Sequence, residues 1–126
     1  MEKLRQRGIG IEAGLASVAD AERLVTLDFG KRVLRVLIEI SEPNIGEALT
    51  VADGVFAVLH SAEVRRPLLL HGFDATVWPF VTLAADRRWS TRVGLEDGSL
   101  LPGGAIASGN AALVAAAVDV YRCRCA

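Results

Sequence analysis

The sequence predicts a parallel α/β fold, (βα)4, on three observations. Four short runs rich in Val, Ile and Leu recur along 126 residues. Near-continuous apolar character over such lengths marks strands covered on both faces, as parallel strands are. Segments with apolar residues at helical spacing lie between the runs and after the last. Strand and helix patterns alternate with no low-complexity stretch or linker, so residues 1–126 are expected to form one half-barrel-sized domain.

The first run covers residues 8–14, GIGIEAG. Ser17 then stands as an N-cap with Asp20 three residues on, followed by Ala21, Leu24 and Val25 at helical spacing. The second run covers residues 32–40, RVLRVLIEI. Asn44 caps the next helix, whose apolar face would use Ala48, Val51, Ala52, Val55, Phe56 and Leu59. The third run covers residues 66–72, RPLLLHG, and residues 76–85 read as a helix with Pro79 tolerated in its first turn. The fourth run covers residues 90–97, STRVGLED. Ser108 or Asn110 caps a last helix with Leu113, Val114, Ala117, Val118 and Tyr121 on its buried side. An open doubly wound sheet and one half of an eight-stranded β/α barrel both fit this order, and composition does not choose between them.

Composition excludes several classes. Fourteen basic against fifteen acidic residues leave a net charge of −1, with no surplus to neutralise a nucleic-acid backbone. No apolar run reaches the ~18 residues of a membrane span. Residues 1–10 do not resemble a signal peptide. The two cysteines, Cys123 and Cys125, cannot staple a fold, and free thiols suit the reducing cytoplasm. Neither a GxSxG nor an HExxH motif is present.

Each run carries an ionisable residue near its end: Glu12, Glu39, His71 and Glu96. Parallel α/β folds gather their chemistry at the C-terminal strand edge, because the βα loops open there. Alternation along the fourth run would place Arg92, Gly94 and Glu96 on one face, with Arg92 and Glu96 aimed inward. A guanidinium in a strand needs a carboxylate, and Glu12, Glu96 or Asp97 can supply it. His60 lies at the polar end of its helix and reads as solvated, and Trp78 and Trp89 read as packing residues. Residues 98–110, GSLLPGGAIASGN, lead into a helix as a glycine-rich loop. Its Gly103, Gly104 and Ser108 are candidates for a phosphate cradle.

The block Arg92-Val93-Gly94-Leu95-Glu96-Asp97 resembles the last-strand signature of the β-keto acid cleavage enzymes, R-[VI]-G-x-E-D. The following helix start, Gly109-Asn110-Ala111-Ala112-Leu113-Val114, is also similar, as are the GIGIEAGL, VLRVLIEI and LLLHG segments upstream. The resemblance implies the C-terminal half of a TIM-type (β/α)8 barrel that binds a divalent metal, usually zinc. It implies condensation of a small-molecule β-keto acid with acetyl-CoA, giving acetoacetate and a new CoA thioester. Carried over, Glu96 matches the carboxylate metal ligand, Arg92 and Asp97 match the pair that abstracts a proton, and Glu12 matches an earlier active-site carboxylate. In that chemistry the metal polarises the carbonyl, the carboxylate takes the proton and the arginine orients it. His71 belongs to one branch of the family, and Glu39 joins it as a pocket candidate. The family's H-x-H metal motif is missing here. A complete barrel takes ~250 residues. The chain is therefore expected to be a fragment, a truncated product, or a half-barrel that closes as a homo-oligomer.

Overall fold

A computed structural model describes all residues, Met1–Ala126. Four strands form one sheet in the order β1-β2-β3-β4, with every pairing parallel. They are β1 (Glu12–Leu15), β2 (Arg35–Glu39), β3 (Leu68–His71) and β4 (Ser90–Thr91). Helices α2 (Val18–Val25), α3 (Ile45–Ser61), α4 (Val77–Arg87) and α5 (Asn110–Cys125) follow the strands in turn, and a short α1 (Glu2–Gln6) precedes them. A doubly wound sheet reverses its strand order at a switch point. This sheet never reverses, so the architecture is half of a β/α barrel.

The pleat sorts the strand residues between two faces. Val36, Ile38 and Ile40 join Leu15 and Leu70 in the main core, against Ala21 and Leu24 of α2, Ala48, Ala52, Val55 and Leu59 of α3, and Phe80 and Ala84 of α4. Leu37, Glu39, Leu69 and His71 alternate with these and take the inner face. Small residues let the helices approach: a Cβ on Gly54 of α3 would lie 2.7 Å from a methyl of Val18 in α2.

Capping follows the sequence closely for two helices. Ser17 Oγ accepts from the Asp20 amide at 3.1 Å, and Asp20 Oδ2 accepts from the Ala16 amide at 3.0 Å. The Ala16 amide, and after it the Ser17 hydroxyl beside the carboxylate, hold the Asp20 carboxyl below its ordinary range. Asn44 Oδ1 accepts from the Glu47 amide at 3.1 Å. Ser17→Ala is expected to cost about 1 kcal/mol. Because the folded Asp20 titrates lower than the unfolded one, its contribution is complete above the unfolded value of about 3.9 and disappears as pH falls through the folded value. Urea unfolding of Asp20→Asn should therefore show a deficit at neutral pH that vanishes in strong acid.

Three expected elements differ. β1 covers Glu12–Leu15 and not residues 8–14, so Glu12 opens the strand instead of lying near its end; residues 2–6 coil into α1 and Gly8 turns the chain at φ 74°. β4 stops at Thr91, whose hydroxyl donates to Leu70 O at 2.9 Å. Beyond it no further strand offers ladder bonds, and Gly94 O accepts from the amides of Asp97 and Gly98 at 2.9 and 3.2 Å, forming a turn. The last helix is capped by Gly109 without a side-chain bond, and Val114 and Val118 are exposed, not buried. They lie on the side of α5 that a further barrel unit would cover.

Candidate functional site at the C-terminal strand edge

Glu39 and His71 end adjacent strands in register. Asp97 and Arg92 arrive from the segment that follows β4. His71 is 1% exposed, and its Nε2 lies 3.4 Å from Glu39 Oε2 while its Nδ1 lies 3.8 Å from Asp97 Oδ1. Arg92 reaches Asp97 Oδ1 at 3.6 Å and Glu96 Oε1 at 3.8 Å. Five side chains thus run in one file, Glu39, His71, Asp97, Arg92 and Glu96. They descend from exposed to buried and return to solvent: Asp97 is 3% exposed, whereas the Glu96 side chain is 78% exposed.

Backbone bonds fix the file. The Asp74 amide donates to Asp97 O at 2.7 Å, tying the β3–α4 loop to the turn after β4. The Leu95 amide donates to Asn110 Oδ1 at 2.8 Å, tying that turn to the start of α5. Asn110, expected as a helix cap, spends its side chain on this link. Arg92 and Glu96 meet through the turn and not through strand alternation, so the expected contact is present with a different cause.

Glu12 does not join them. It opens β1 opposite Arg35, which opens β2, and the two form an ion pair. That pair sits at the N-terminal edge of the sheet, at the other end of the strands from Glu39 and His71. The glycine-rich loop also departs from an open cradle. It folds as a hairpin bridged at Leu100 and Ile106, with the amides of Leu101, Gly104 and Ala107 bonded to Ala105 O, Leu101 O and Ser99 O. Gly103 and Gly104 form its exposed tip, and Ser108 is exposed near the start of α5. Asp74, a turn residue in a left-handed conformation (φ 48°), contributes to the link with Asp97 through its backbone amide and not through its side chain. Trp78 donates to Leu100 O at 2.8 Å, anchoring the hairpin, and His60 is exposed as expected.

A sequential parallel sheet with alternating helices defines the chain as half of a β/α barrel. The family model for beta-keto acid cleavage enzymes matches residues 46–123, and the chain belongs to that family. The match takes in His71, Arg92, Glu96 and Asp97, while Glu12 and Glu39 precede it. Among curated proteins nothing matches the chain. Glu96, the residue expected as a metal ligand, is exposed and paired at long range with Arg92. No three His, Cys, Asp or Glu side chains cluster to hold an ion. The residues present do not complete a zinc site, so a resident ion requires donors from outside this chain. No helix is long and apolar enough to cross a membrane.

Proposed function

We propose that this chain is the C-terminal half of a β-keto acid cleavage barrel, acting on a β-keto acid and acetyl-CoA to give acetoacetate and a new acyl-CoA. The observation that carries the reading is Arg92 lying within 4 Å of both Asp97 and Glu96 at the strand edge where barrels do chemistry. Asp97 is the proton acceptor, held by Arg92 at 3.6 Å. Arg92, exposed on its outer side, also faces the carboxylate of an incoming keto acid, for which a guanidinium offers paired donors. Glu96 is the one carboxylate of the family's metal set present.

The chain alone is expected to be inactive. Mixed with a separately expressed N-terminal half of a family member carrying H-x-H, and with zinc, it should yield acyl-CoA detectable by mass spectrometry. Turnover by the isolated monomer would overturn this accounting, and silence from the complemented barrel would overturn the reading itself.

A second reading is supported by the two free edges. Beside β4 lies a groove of 480 Å³ lined by Val93, Val114, Val118 and Tyr121 among others. Beside β1 lies another of 270 Å³ that includes Ile11, Leu24, Leu27 and Phe29. Two copies related by a two-fold axis would place each β4 beside the other copy's β1 and close eight strands. This reading makes the chain a half-barrel module that assembles as a homodimer. It predicts a solution mass twice the 13.4 kDa of one chain, reduced to one chain by Val114→Lys with Val118→Lys. A monomeric wild-type chain in sedimentation would rule it out.

A further inference from the structure

The two nitrogens of His71 have no hydrogen-bond partner in a position water does not reach. Such a ring needs an acceptor for its N–H, since a buried donor left unpaired is costly. Two carboxylates stand on opposite sides of it. Glu39 Oε2 is 3.4 Å from Nε2 and Asp97 Oδ1 is 3.8 Å from Nδ1. A tautomer of neutral imidazole has one N–H to give, so the two compete.

Burial decides the competition. The Glu39 side chain is 39% exposed and takes its hydrogen bonds from water. Asp97 is 3% exposed and its carboxylate accepts no hydrogen bond: Oδ2 is without a partner, and Oδ1 has only Arg92 at 3.6 Å and His71 at 3.8 Å. An unmet acceptor is costlier where water is excluded. We propose that His71 is a positioning residue that donates Nδ1–H to Asp97 Oδ1 and leaves Nε2 without a proton, the half-exposed Glu39 carboxylate turning from it to water. The functional part of this inference rests on Asp97 being the proton acceptor. Closing 3.8 Å to a hydrogen bond takes a small side-chain rotation, of the kind active sites make when they fill. Phe73 meets the ring edge-on, with centroids 5.3 Å apart at 64°, and limits its tilt. Oδ1 is then held from two directions, by His71 and by Arg92 at 3.6 Å, so the carboxylate cannot swing. The chain's other histidine, His60, is exposed and plays no part.

The test uses the full chain labelled with 15N. Two-bond proton–nitrogen correlations report which ring nitrogen carries the proton, with His60 as the exposed reference. Nδ1–H is expected for His71, moving toward Nε2–H in Asp97→Leu, which removes the acceptor, and staying put in Glu39→Gln. An Nε2–H tautomer in the wild type, or one indifferent to Asp97→Leu, would overturn the proposal. The wild-type spectrum decides even where a variant fails to fold. In the complemented barrel, His71→Asn places an amide N–H near the former Nδ1–H and should keep kcat within about threefold. His71→Gln mimics the other nitrogen and should lose at least about tenfold in kcat with KM held. Equal activity of the two variants would overturn the positioning role. An Nδ1–H tautomer in a chain whose complemented barrel shows no turnover supports the positioning and removes the catalytic reading of Asp97.

Discussion

Gly72→Ala is expected to destabilise the chain by about 3 kcal/mol, near the upper end for overpacking a core. A Cβ there would lie 2.1 Å from Thr76 Oγ1, 2.8 Å from Phe80 Cδ2 and 3.0 Å from Thr76 Cβ. Neither neighbour can retreat. Thr76 and Phe80 are both fully buried. The Thr76 hydroxyl also accepts from the Phe73 amide and donates to the Phe73 carbonyl, both at 2.9 Å. Moving it breaks the bonds that shape the loop between β3 and α4, which are worth about 1 kcal/mol each. Thermal unfolding should show a midpoint roughly 10 °C lower. Thr76→Ala removes the nearest obstructing atom, so the double variant should be more stable than the sum of the two single losses. Strict additivity in that cycle would disprove the steric account.

Asp97→Asn is expected to leave the fold intact and to lower kcat of the complemented barrel by roughly 10²–10⁴-fold, the range for losing a general base. The fold survives because the contact that ties the two loops together uses the Asp97 backbone carbonyl, which accepts from the Asp74 amide at 2.7 Å. The amide side chain keeps the volume of the acid and can still accept from Arg92. It cannot take a proton. Glu96→Gln offers the contrast: with its side chain 78% exposed, it should change unfolding free energy by less than about 0.5 kcal/mol. Steady-state rates alongside urea unfolding check both statements. Full activity in Asp97→Asn would place the proton acceptor elsewhere.

Helix positions were legible because their signals are local. Ser17 and Asn44 cap the helices their spacing announces, and Ala48, Ala52, Val55 and Leu59 of α3 are buried as their periodicity requires. The apolar runs located the strands but misjudged their ends. Strand ends depend on where a neighbour supplies ladder bonds, and β4 has a neighbour on one side only. Residues 92–97 therefore turn instead of extending. The same limit explains Glu12: a run of apolar residues marks a strand without saying at which residue pairing begins, and pairing begins where Glu12 meets Arg35. Val114 and Val118 read as core from their spacing, yet a helix pattern cannot tell a covered face from one left at a sheet's open edge.

The sequence by itself determined the alternation of strands and helices, two helix caps and the identity of the acids and the arginine that gather at the strand tips. These follow from backbone propensity and from side-chain period, which act over a few residues. Only the tertiary structure decided that the sheet runs in unbroken order, that Glu39, His71, Asp97, Arg92 and Glu96 form one file, and that Glu12 stands apart from it. Those outcomes depend on register and on loop-to-loop bonds such as Asp74 to Asp97, made between segments far apart in the chain, where no local pattern carries information.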